Sequence, residues 1–525
     1  MEDKKVLFRI TNLKQYFPLS KKGMYVKAND GISVDIYQGE TFGLVGESGC
    51  GKSTFGRTIL ELYKQTDGRT MYYGRTIEEL APEYVRETIK DFPKLKEKLA
   101  KLRENEKEAQ EAFDNAKPED QGEKYDDLLK AKHAAESEFQ NLVSIFGGFY
   151  TVDNIQPVQD AYMAVEKLSI ELNKLMMEKR LEDSVLEDYK YENEQNGGKE
   201  SKVASQQAKC DGIDKSIADI QAKIAEGQKV IDDMRAEHKD DPEFQKYEAM
   251  RDEGIDLARL NKEEMRSLRS DLQIIFQDPY SSLNPRKTVG QIIGEGMIAH
   301  NYFKKNSPRL QEQIQKTMNM CGIADYFIHR YPHQFSGGQR QRIGIARALS
   351  TNPKFVICDE AVSALDVSIQ SQIINLLQDL KDQNDLTYLF ITHDLSVVKY
   401  ISDRIGVMYL GTIVELSESQ ELFDHPLHPY TEALLSAIPT TNVDADRELV
   451  VLEGDIPSPV NPPKGCKFNT RCKYCTDICT KITPEFKEVR PNHFVACHHM
   501  LGSENTVPEQ AESDAAPAAD EKQDD

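Results

Sequence analysis

The chain has 525 residues and a formal net charge of −22. Its length predicts roughly three or four domains. No apolar run approaches the ~20 residues that a membrane-spanning helix needs, and the first residues lack the apolar core of a signal peptide. We therefore expect the protein to stay in the cytoplasm and to reach a membrane only through a partner.

The negative charge is concentrated in two segments. Residues 81–260 contain 42 acidic and 28 basic side chains, and residues 503–525 contain 8 acidic and 1 basic side chain. Neither segment offers the basic face that nucleic-acid binding requires, and the rest of the chain is nearly neutral. The last segment is rich in Ala, Glu, Asp and Pro, which predicts a disordered acidic tail.

Short alternating runs of apolar and polar residues, broken by turn residues, predict strands over residues 6–45. Three aromatic side chains in this stretch, Tyr16, Phe17 and Tyr25, could each stack on a nucleotide base. An ordinary core or surface position explains any one of them equally well.

A phosphate-binding loop is predicted at residues 46–54, where a glycine is followed by four residues and then by Gly-Lys-Ser. An apolar strand precedes the loop, and a helix-compatible run follows from Phe55 to Tyr63. Backbone N–H groups of such a loop face the phosphates; Lys52 would reach the β- and γ-phosphates, and the Ser53 hydroxyl would bind Mg²⁺. A glycine-rich turn with a solvated lysine is the alternative. The loop consists of Gly46, Glu47, Ser48, Gly49, Cys50, Gly51, Lys52, Ser53 and Thr54.

Residues 66–80 are predicted to form a hairpin. Residues 81–260 then show apolar residues at helical and heptad spacing between many charges, which predicts antiparallel helices in a coiled-coil-like arm. Because both ends of the arm must join neighbouring strands, an even number of long helices, running out and back, is favoured. A partly disordered insertion is the alternative.

From residue 272 the pattern is that of a parallel α/β sheet. A short apolar strand ends at Gln277, helices are predicted over 288–328, and strands over 352–358 and 386–392 flank a helix at 368–381. The strand that ends at residue 358 delivers two carboxylates, Asp359 and Glu360. Beside a phosphate loop, Asp359 would hold the Mg²⁺ shell and Glu360 would polarise the attacking water. A helix N-cap after a strand is the alternative reading.

A second anion site is indicated where a serine and two glycines precede a helical run. The motif comprises Ser336, Gly337, Gly338 and Gln339. Because one nucleotide does not need two such sites from one subunit, we expect two subunits to face each other head to tail.

Taken in order, these motifs resemble those of an ABC-type ATPase subunit: Walker A, Q-loop, signature, Walker B, D-loop and H-switch. The resemblance narrows to the oligopeptide/dipeptide importer ATPases. It covers residues 1–80 and 261–500, and the narrower match rests on Ile275-Phe276-Gln277-Asp278-Pro279, Ser282-Leu283-Asn284-Pro285-Arg286, Tyr331-Pro332-His333-Gln334-Phe335, His428-Pro429-Tyr430-Thr431 and Gly454-Asp455-Ile456-Pro457-Ser458-Pro459.

The resemblance implies a fold with a RecA-like core, an antiparallel β subdomain and a helical signature subdomain. It implies that Gln277 links Mg²⁺ and the water to membrane subunits, that His393 contacts the γ-phosphate, that Asp366 couples two sites across a dimer, and that Phe17 stacks on adenine. The implied partners are a second ATPase subunit, which in this family is commonly a paralogue, two transmembrane permease subunits and an extracytoplasmic substrate-binding protein. The implied location is the cytoplasmic face of the membrane.

Near the end of the chain, cysteines are clustered. In a cytosolic protein such a cluster indicates metal or redox chemistry. The same subfamily has four cysteines in this arrangement, which in some members bind a [4Fe–4S] cluster. Zinc and free thiols are the alternatives, because Cys475 is an extra thiol and His498 or His499 could join a zinc site. The four cysteines are Cys466, Cys472, Cys479 and Cys497.

We divide the chain into an ATPase domain over 1–80 and 261–430, the insertion 81–260, a cysteine-rich region 431–502 and the tail 503–525. The predicted function is ATP hydrolysis that drives uptake of oligopeptides or dipeptides. An importer for nickel or an oligosaccharide is one alternative. A soluble ABC ATPase acting on DNA is another, and a regulatory subunit that binds ATP without hydrolysing it is a third.

Overall fold

A computed structural model describes residues 4–20, 24–116, 121–438, 450 and 452–502 of the chain. The predicted acidic tail lies outside these residues. The chain divides into two compact units. Unit 1 contains Met1–Tyr16, Asp30–Thr41 and Ser53–Ile391, and unit 2 contains Phe17–Asn29, Phe42–Lys52 and Thr392–Asp525.

The described residues contain strands from both ends of the chain. They are β1 (Val6–Pro18), β2 (Tyr25–Tyr37), β3 (Thr41–Val45), β4 (Asp67–Tyr72), β5 (Ile255–Asp256), β6 (Leu272–Ile275), β7 (Phe355–Asp359), β8 (Thr387–Ile391), β9 (Arg404–Tyr409), β10 (Thr412–Glu418), β11 (Lys487–Arg490) and β12 (His493–Val495).

Long helices fill the segment between β4 and β5, and shorter helices follow. They are α1 (Lys52–Ile59), α2 (Ile77–Leu80), α3 (Glu83–Asp114), α4 (Gln121–Phe146), α5 (Gln156–Asn196), α6 (Glu200–Ala236), α7 (Pro242–Glu248), α8 (Lys262–Leu268), α9 (Val289–Ala299), α10 (Leu310–Met320), α11 (Gly337–Leu349), α12 (Val367–Asn384), α13 (Leu395–Ile401), α14 (Ser419–Asp424), α15 (Pro429–Ser436) and α16 (Asp477–Lys481).

Unit 1 holds an antiparallel sheet and a set of parallel strands. The predicted hairpin over residues 66–80 is wrong: β4 pairs antiparallel with β1 on one side and with β5 on the other. Residues 66–80 do contain residues that favour strands. However, the strands that pair with β4 come from distant parts of the chain and not from the same segment. Strands β6, β7 and β8 are parallel neighbours in that order, and β7 and β8 are fully buried, as their continuous apolar runs predict.

The inserted segment leaves the antiparallel sheet at β4 and returns to it at β5. Tyr72 pairs with Ile255, so the two ends of the insertion are adjacent. Four long helices, α3 to α6, lie between them, which is an even number of long passes. They pack around a buried aromatic core, with the rings of Phe92 and Phe146 4.2 Å apart. The description of the arm as a coiled coil stays a prediction.

Unit 2 contains the strand that precedes the phosphate loop. Strand β3 is fully buried and pairs parallel with β9. Strand β9 pairs antiparallel with β10, and β10 pairs antiparallel with β12 from the cysteine-rich region. Phe468 is buried and its ring packs against Tyr409 and Tyr430, which joins the last part of the described chain to this sheet.

Candidate nucleotide site

Glycines shape the predicted phosphate loop because two of its positions have no room for a side chain. The backbone has φ = +150° at Gly46 and +106° at Gly51. A Cβ atom at Gly46 would lie 2.2 Å from the carbonyl oxygen of Met408, and one at Gly51 would lie 2.1 Å from that of Ala28. Only glycine allows this turn, so backbone N–H groups can point into the loop.

Lys52 begins α1 and is buried, with 4% of its surface exposed. Its ammonium group donates to the carbonyl oxygens of Gly46 at 2.7 Å and Glu47 at 3.0 Å. The positive charge therefore lies inside the curve of the loop, beside the N-terminus of a helix, and both favour an anion. Phosphate oxygens can replace the two carbonyl partners.

The loop is also held from the C-terminal part of unit 2. Arg471 makes two hydrogen bonds to the carboxylate of Glu47, at 2.7 and 3.1 Å, and its side chain is 5% exposed. The backbone N–H of Glu47 donates to the hydroxyl of Tyr430 at 2.9 Å. Tyr430 belongs to a motif of the family resemblance, but its contact with the loop was not predicted. Arg471 was not predicted at all, because 424 positions separate it from Glu47 and no spacing rule connects them.

In unit 1 the structure brings Ser53 and Asp359 together. The Ser53 hydroxyl donates to the Asp359 carboxylate at 2.5 Å, and Asp359 is 1% exposed. Arg57 donates to the other carboxylate oxygen at 3.2 Å. Arg57 was not predicted, although it follows Ser53 by four residues and so lies on the same face of α1. The hydroxyl and carboxylate are the ligand types that Mg²⁺ prefers.

The structure also brings Gln277 and Glu360 together in unit 1. The Gln277 side-chain amide donates to the Glu360 carboxylate at 2.6 Å. Glu360 has a left-handed backbone with φ = +49°, and its N–H donates to the carbonyl oxygen of Ile391 at 2.9 Å. A residue without glycine's freedom adopts this conformation only where its surroundings hold it there, which is common at active sites.

The predicted signature residues start α11 and are largely exposed. The Ser336 hydroxyl accepts from the N–H of Gln339 at 3.4 Å, and the Gln339 side chain accepts from the N–H of Ser336 at 3.1 Å, which forms a capping box. A Cβ atom at Gly338 would lie 2.6 Å from Cγ2 of Ile369, so this helix start packs closely against α12. Asp366, the exposed N-cap residue of α12, lies three positions before Ile369.

The remaining predicted residues lie in separate places. Thr54 is the third residue of α1, in unit 1. Phe17 is half-buried near the end of β1, and His393 is exposed between β8 and α13; both belong to unit 2. Asp394, next to His393, caps α13 by accepting from the N–H of Ser396 at 2.9 Å.

Residues of the cysteine-rich region contact one another within unit 2. The N–H of Cys466 donates to the carbonyl oxygen of Cys479 at 2.8 Å, and the N–H of His499 donates to the Cys497 sulfur at 3.3 Å. Burial, together with the charges of neighbouring thiols, raises the pKa of Cys466 to about 11 and those of Cys472 and Cys497 to about 12. Within residues 452–502, and in the other described ranges, no group of three or more His, Cys, Asp or Glu side chains is placed to share one metal ion.

Two family models match the chain. The model described as "ABC transporter" matches residues 29–229 and 245–363, which is more than half of the chain. The chain therefore belongs to the ABC transporter family, and it is an ATPase of that family, whose cofactors are ATP and Mg²⁺. The model described as "Oligopeptide/dipeptide transporter, C-terminal region" matches residues 414–479.

Individual relatives agree with this assignment. The oligopeptide transport ATP-binding protein AppF of Bacillus subtilis is 55% identical over 248 residues, which cover 47% of this chain and 75% of that protein. The oligopeptide transport ATP-binding protein OppF of Escherichia coli is 50% identical over 246 residues, covering 46% of this chain and 73% of that protein. The solved dimer of the ATP-binding cassette MJ0796 with ADP and Pi has a TM-score of 0.41 and 15% identity, with 79% of this chain and 99% of that one covered, and the assignment does not draw on it.

Proposed function

We propose that this chain is the ATP-hydrolysing subunit of an importer for oligopeptides or dipeptides. The geometry that carries the proposal is the pair of contacts in unit 1 between Ser53 and Asp359 and between Gln277 and Glu360. The proposed substrate class is taken from the match to the oligopeptide/dipeptide C-terminal region and from the names of the relatives.

In the proposed mechanism, the loop N–H groups and Lys52 bind the phosphates and neutralise their charge. Ser53 and Asp359 would hold Mg²⁺, which supplies Lewis-acid stabilisation of the phosphoryl group when bound. Glu360 accepts the proton of the attacking water, and Gln277 orients its carboxylate. Phe17 would stack on the adenine, and His393 would contact the γ-phosphate.

The signature residues serve a second subunit in this proposal. Because Ser336, Gly337 and Asp366 are exposed, they can reach a nucleotide held by another ATPase subunit. Two subunits close head to tail around two nucleotides, and ATP drives the closure only through its preference for the closed state. We expect the second subunit to be a paralogue.

Transport requires membrane partners in this proposal. Among the helices of the described ranges, none has both the length and the apolar character needed to cross a bilayer. Two permease subunits would convert closure of the ATPases into alternating access, and an extracytoplasmic binding protein would deliver the peptide. The chain would then act at the cytoplasmic face of the membrane.

The test is the assembled transporter with the Glu360→Gln substitution. We expect peptide-stimulated ATP hydrolysis to fall by about 100-fold or more, because a general base contributes about 10²–10⁴ in rate. ATP binding should persist. Glu312→Gln, an exposed position on α10, is the matched control and should keep full activity. Unchanged turnover would refute a hydrolytic role for this site, and full activity without peptide uptake would refute the peptide assignment.

We also propose that Cys466, Cys472, Cys479 and Cys497 bind a [4Fe–4S] cluster. Four thiolates are the usual ligand set. Nearby thiols of this region, Cys475 among them, raise the pKa values of Cys466, Cys472 and Cys497, as expected of sulfurs in one neighbourhood. A four-iron cluster holds its ligands further apart than a single ion does. The test is iron and acid-labile sulfide in anaerobically purified protein, with Cys475→Ser as the control that should keep the cluster. Zinc without sulfide would refute the proposal.

A further inference from the structure

A cavity of about 590 Å³ lies in unit 1, between the end of β4 and the helices of the insertion. Its lining contains no residue of the nucleotide site. Residues from α2, α3, α4, α5 and α6 and from the segment before β5 form its wall. The volume is within the ~300–1,000 Å³ that small-molecule sites usually have.

Glu166 is a buried acid in the lining of this cavity. It lies on the buried face of α5 and is 4% exposed. Among the described residues, its Oε1 atom has no hydrogen-bond partner. Two other buried polar residues of α5 do have partners: Gln159 donates to the carbonyl oxygen of Ile89 at 2.6 Å, and Ser169 donates to that of Val165 at 3.1 Å. Glu166 is therefore an acceptor without a donor, which is costly unless a ligand supplies one.

Among the charged side chains that line the cavity, acidic groups outnumber basic groups. Its three arginines already have carboxylate partners: Arg75 pairs with Asp271, Arg235 with Asp232, and Arg251 with Glu253. A second acid, Glu78, accepts a hydrogen bond from Gln228 at 2.7 Å. Within the parts of unit 1 that the structure describes, no Lys, Arg or His nitrogen lies within ion-pair distance of Glu78 or Glu166.

The rest of the cavity lining is suited to contact with the apolar part of a small molecule. Val85, Ile89, Val165 and Ile231 contribute buried aliphatic surface, and Tyr162 contributes an aromatic ring. A metal ion would need several oxygen ligands close together. The described residues contain no group of three or more His, Cys, Asp or Glu side chains suited to that.

We propose that this cavity binds a small organic cation, with its ammonium group against the carboxylates of Glu166 and Glu78 and its apolar part against Val85, Ile89 and Val165. Charge-assisted hydrogen bonds from an ammonium group would satisfy the Glu166 oxygen. Burial raises the pKa of Glu166 to about 7, and the charge of Arg86 opposes this only in part. Near pH 7 the carboxyl is therefore partly protonated, and binding of the cation would displace that fraction of protons.

The test is isothermal titration calorimetry on the full chain with n-butylammonium, phenethylammonium and putrescine, at constant ionic strength. We expect saturable one-to-one binding of at least one of these probes, and at least tenfold weaker binding by Glu166→Gln. Glu171→Gln, an exposed position on the same helix, is the matched control and should bind as the unsubstituted chain does. Glu78→Gln is a second variant and should also weaken binding.

Thermal melting separates binding from folding. Glutamine has nearly the shape of glutamate and carries no charge, so Glu166→Gln should melt no lower than the unsubstituted chain. Absence of saturable binding to all three probes would overturn the proposal. It would also be overturned if Glu166→Gln and Glu78→Gln both bound the probes as tightly as the unsubstituted chain does. Binding of KCl or MgCl₂ alone that disappears in Glu166→Gln would also overturn it, in favour of an inorganic ion.

Discussion

Single residues far apart in the chain hold the phosphate loop in shape. The phosphate-loop motif specifies no residue type at Glu47, yet the Glu47 carboxylate accepts hydrogen bonds from two nitrogens of the nearly buried Arg471 guanidinium. A planar guanidinium matches a carboxylate with two parallel hydrogen bonds, which an ammonium group cannot do. The adjoining residue, Cys472, belongs to the cysteine-rich region, so that region and the loop share one local framework in unit 2.

We expect Arg471→Lys to weaken ATP binding about tenfold, because hydrogen bonds to a charged group contribute about 1.5–3 kcal/mol and lysine keeps only part of the pair. Equilibrium titration with a fluorescent ATP analogue measures the change. Arg490→Lys is the control, since Arg490 forms an exposed pair with Glu421 in the same unit. Equal affinities in the two variants would mean that Arg471 does not position the loop.

His428 gives unit 2 a pH-dependent stability. Its side chain is buried and accepts from the N–H of Tyr430 at 3.0 Å. Burial lowers its pKa to about 4 from an ordinary 6.5, although Glu415 opposes the shift. The unfolded chain therefore binds a proton below pH 6.5 that the folded chain takes up only near pH 4, so stability falls as the pH drops through this range.

We expect this residue to account for about 3 kcal/mol of the loss in unfolding free energy between pH 7 and pH 4, since each unit of pKa difference corresponds to ~1.4 kcal/mol. His428→Asn keeps a side-chain acceptor at this helix start and removes the titration. Urea unfolding followed at several pH values should give a flatter curve for the variant. An unchanged slope would contradict the assignment.

At the scale of elements, helix α5 links the insertion to the part of unit 1 that carries the signature helix. Asp188 on α5 accepts hydrogen bonds from the Ser307 hydroxyl at 2.6 Å and from Arg309 at 3.2 Å, just before α10. Arg180 on α5 lies over the ring of Tyr302 at 5.2 Å. The insertion therefore contacts the segment that connects α9 to α10.

Asp188→Asn should loosen this contact. We expect faster amide hydrogen exchange over residues 302–310 and a loss of about 1 kcal/mol in unfolding free energy, because a partly buried pair contributes more than the 0–1 kcal/mol of an exposed one. Asp160→Asn on the same helix is the control, since Asp160 is exposed and accepts a hydrogen bond from Gln156 within α5. If both variants exchange alike, α5 does not restrain this segment.

At the scale of the whole molecule, the insertion can be replaced by a short turn because its two ends are adjacent in the antiparallel sheet. Tyr72 and Ile255 are antiparallel partners, so an Asn-Gly turn between Tyr73 and Gly254 would convert β4 and β5 into a hairpin. We expect the shortened chain to keep ATP binding with a lower melting temperature, because the aromatic core of the insertion and the Arg75–Asp271 pair are lost. It should also lose alkylammonium binding.

The shortened chain also tests the hypothesis that the insertion binds a partner of the ATPase subunit. Co-purification with the membrane subunits and peptide uptake are the measurements. If assembly and uptake are intact, the insertion is not a docking element. If assembly fails while ATP binding persists, a partner contacts the insertion. A shortened chain that no longer binds ATP would mean instead that the nucleotide site depends on the insertion.

The sequence by itself determined the chemistry of the nucleotide site. Gly46, Lys52 and Ser53 are close in sequence, and the local backbone decides what they do. The order of the later motifs identified the family, and apolar runs predicted the buried strands β7 and β8. The glycine pairs Gly147-Gly148 and Gly197-Gly198 directly follow the ends of α4 and α5, because glycine ends helices by a local mechanism.

Only the tertiary structure decided which distant groups meet. Several features of the structure bring together residues that have no periodic or short-range relation in the sequence. They are the strand pairing of β4, the ion pair of Arg471 with Glu47, the contact of Asp188 with Arg309 and the lining of the cavity at Glu166. Such contacts depend on how elements pack, and many sequences with the same local pattern would pack differently. The helical spacing of apolar residues predicted that α5 has a buried face. The cavity beside Glu166, however, depends on how the other helices pack around α5.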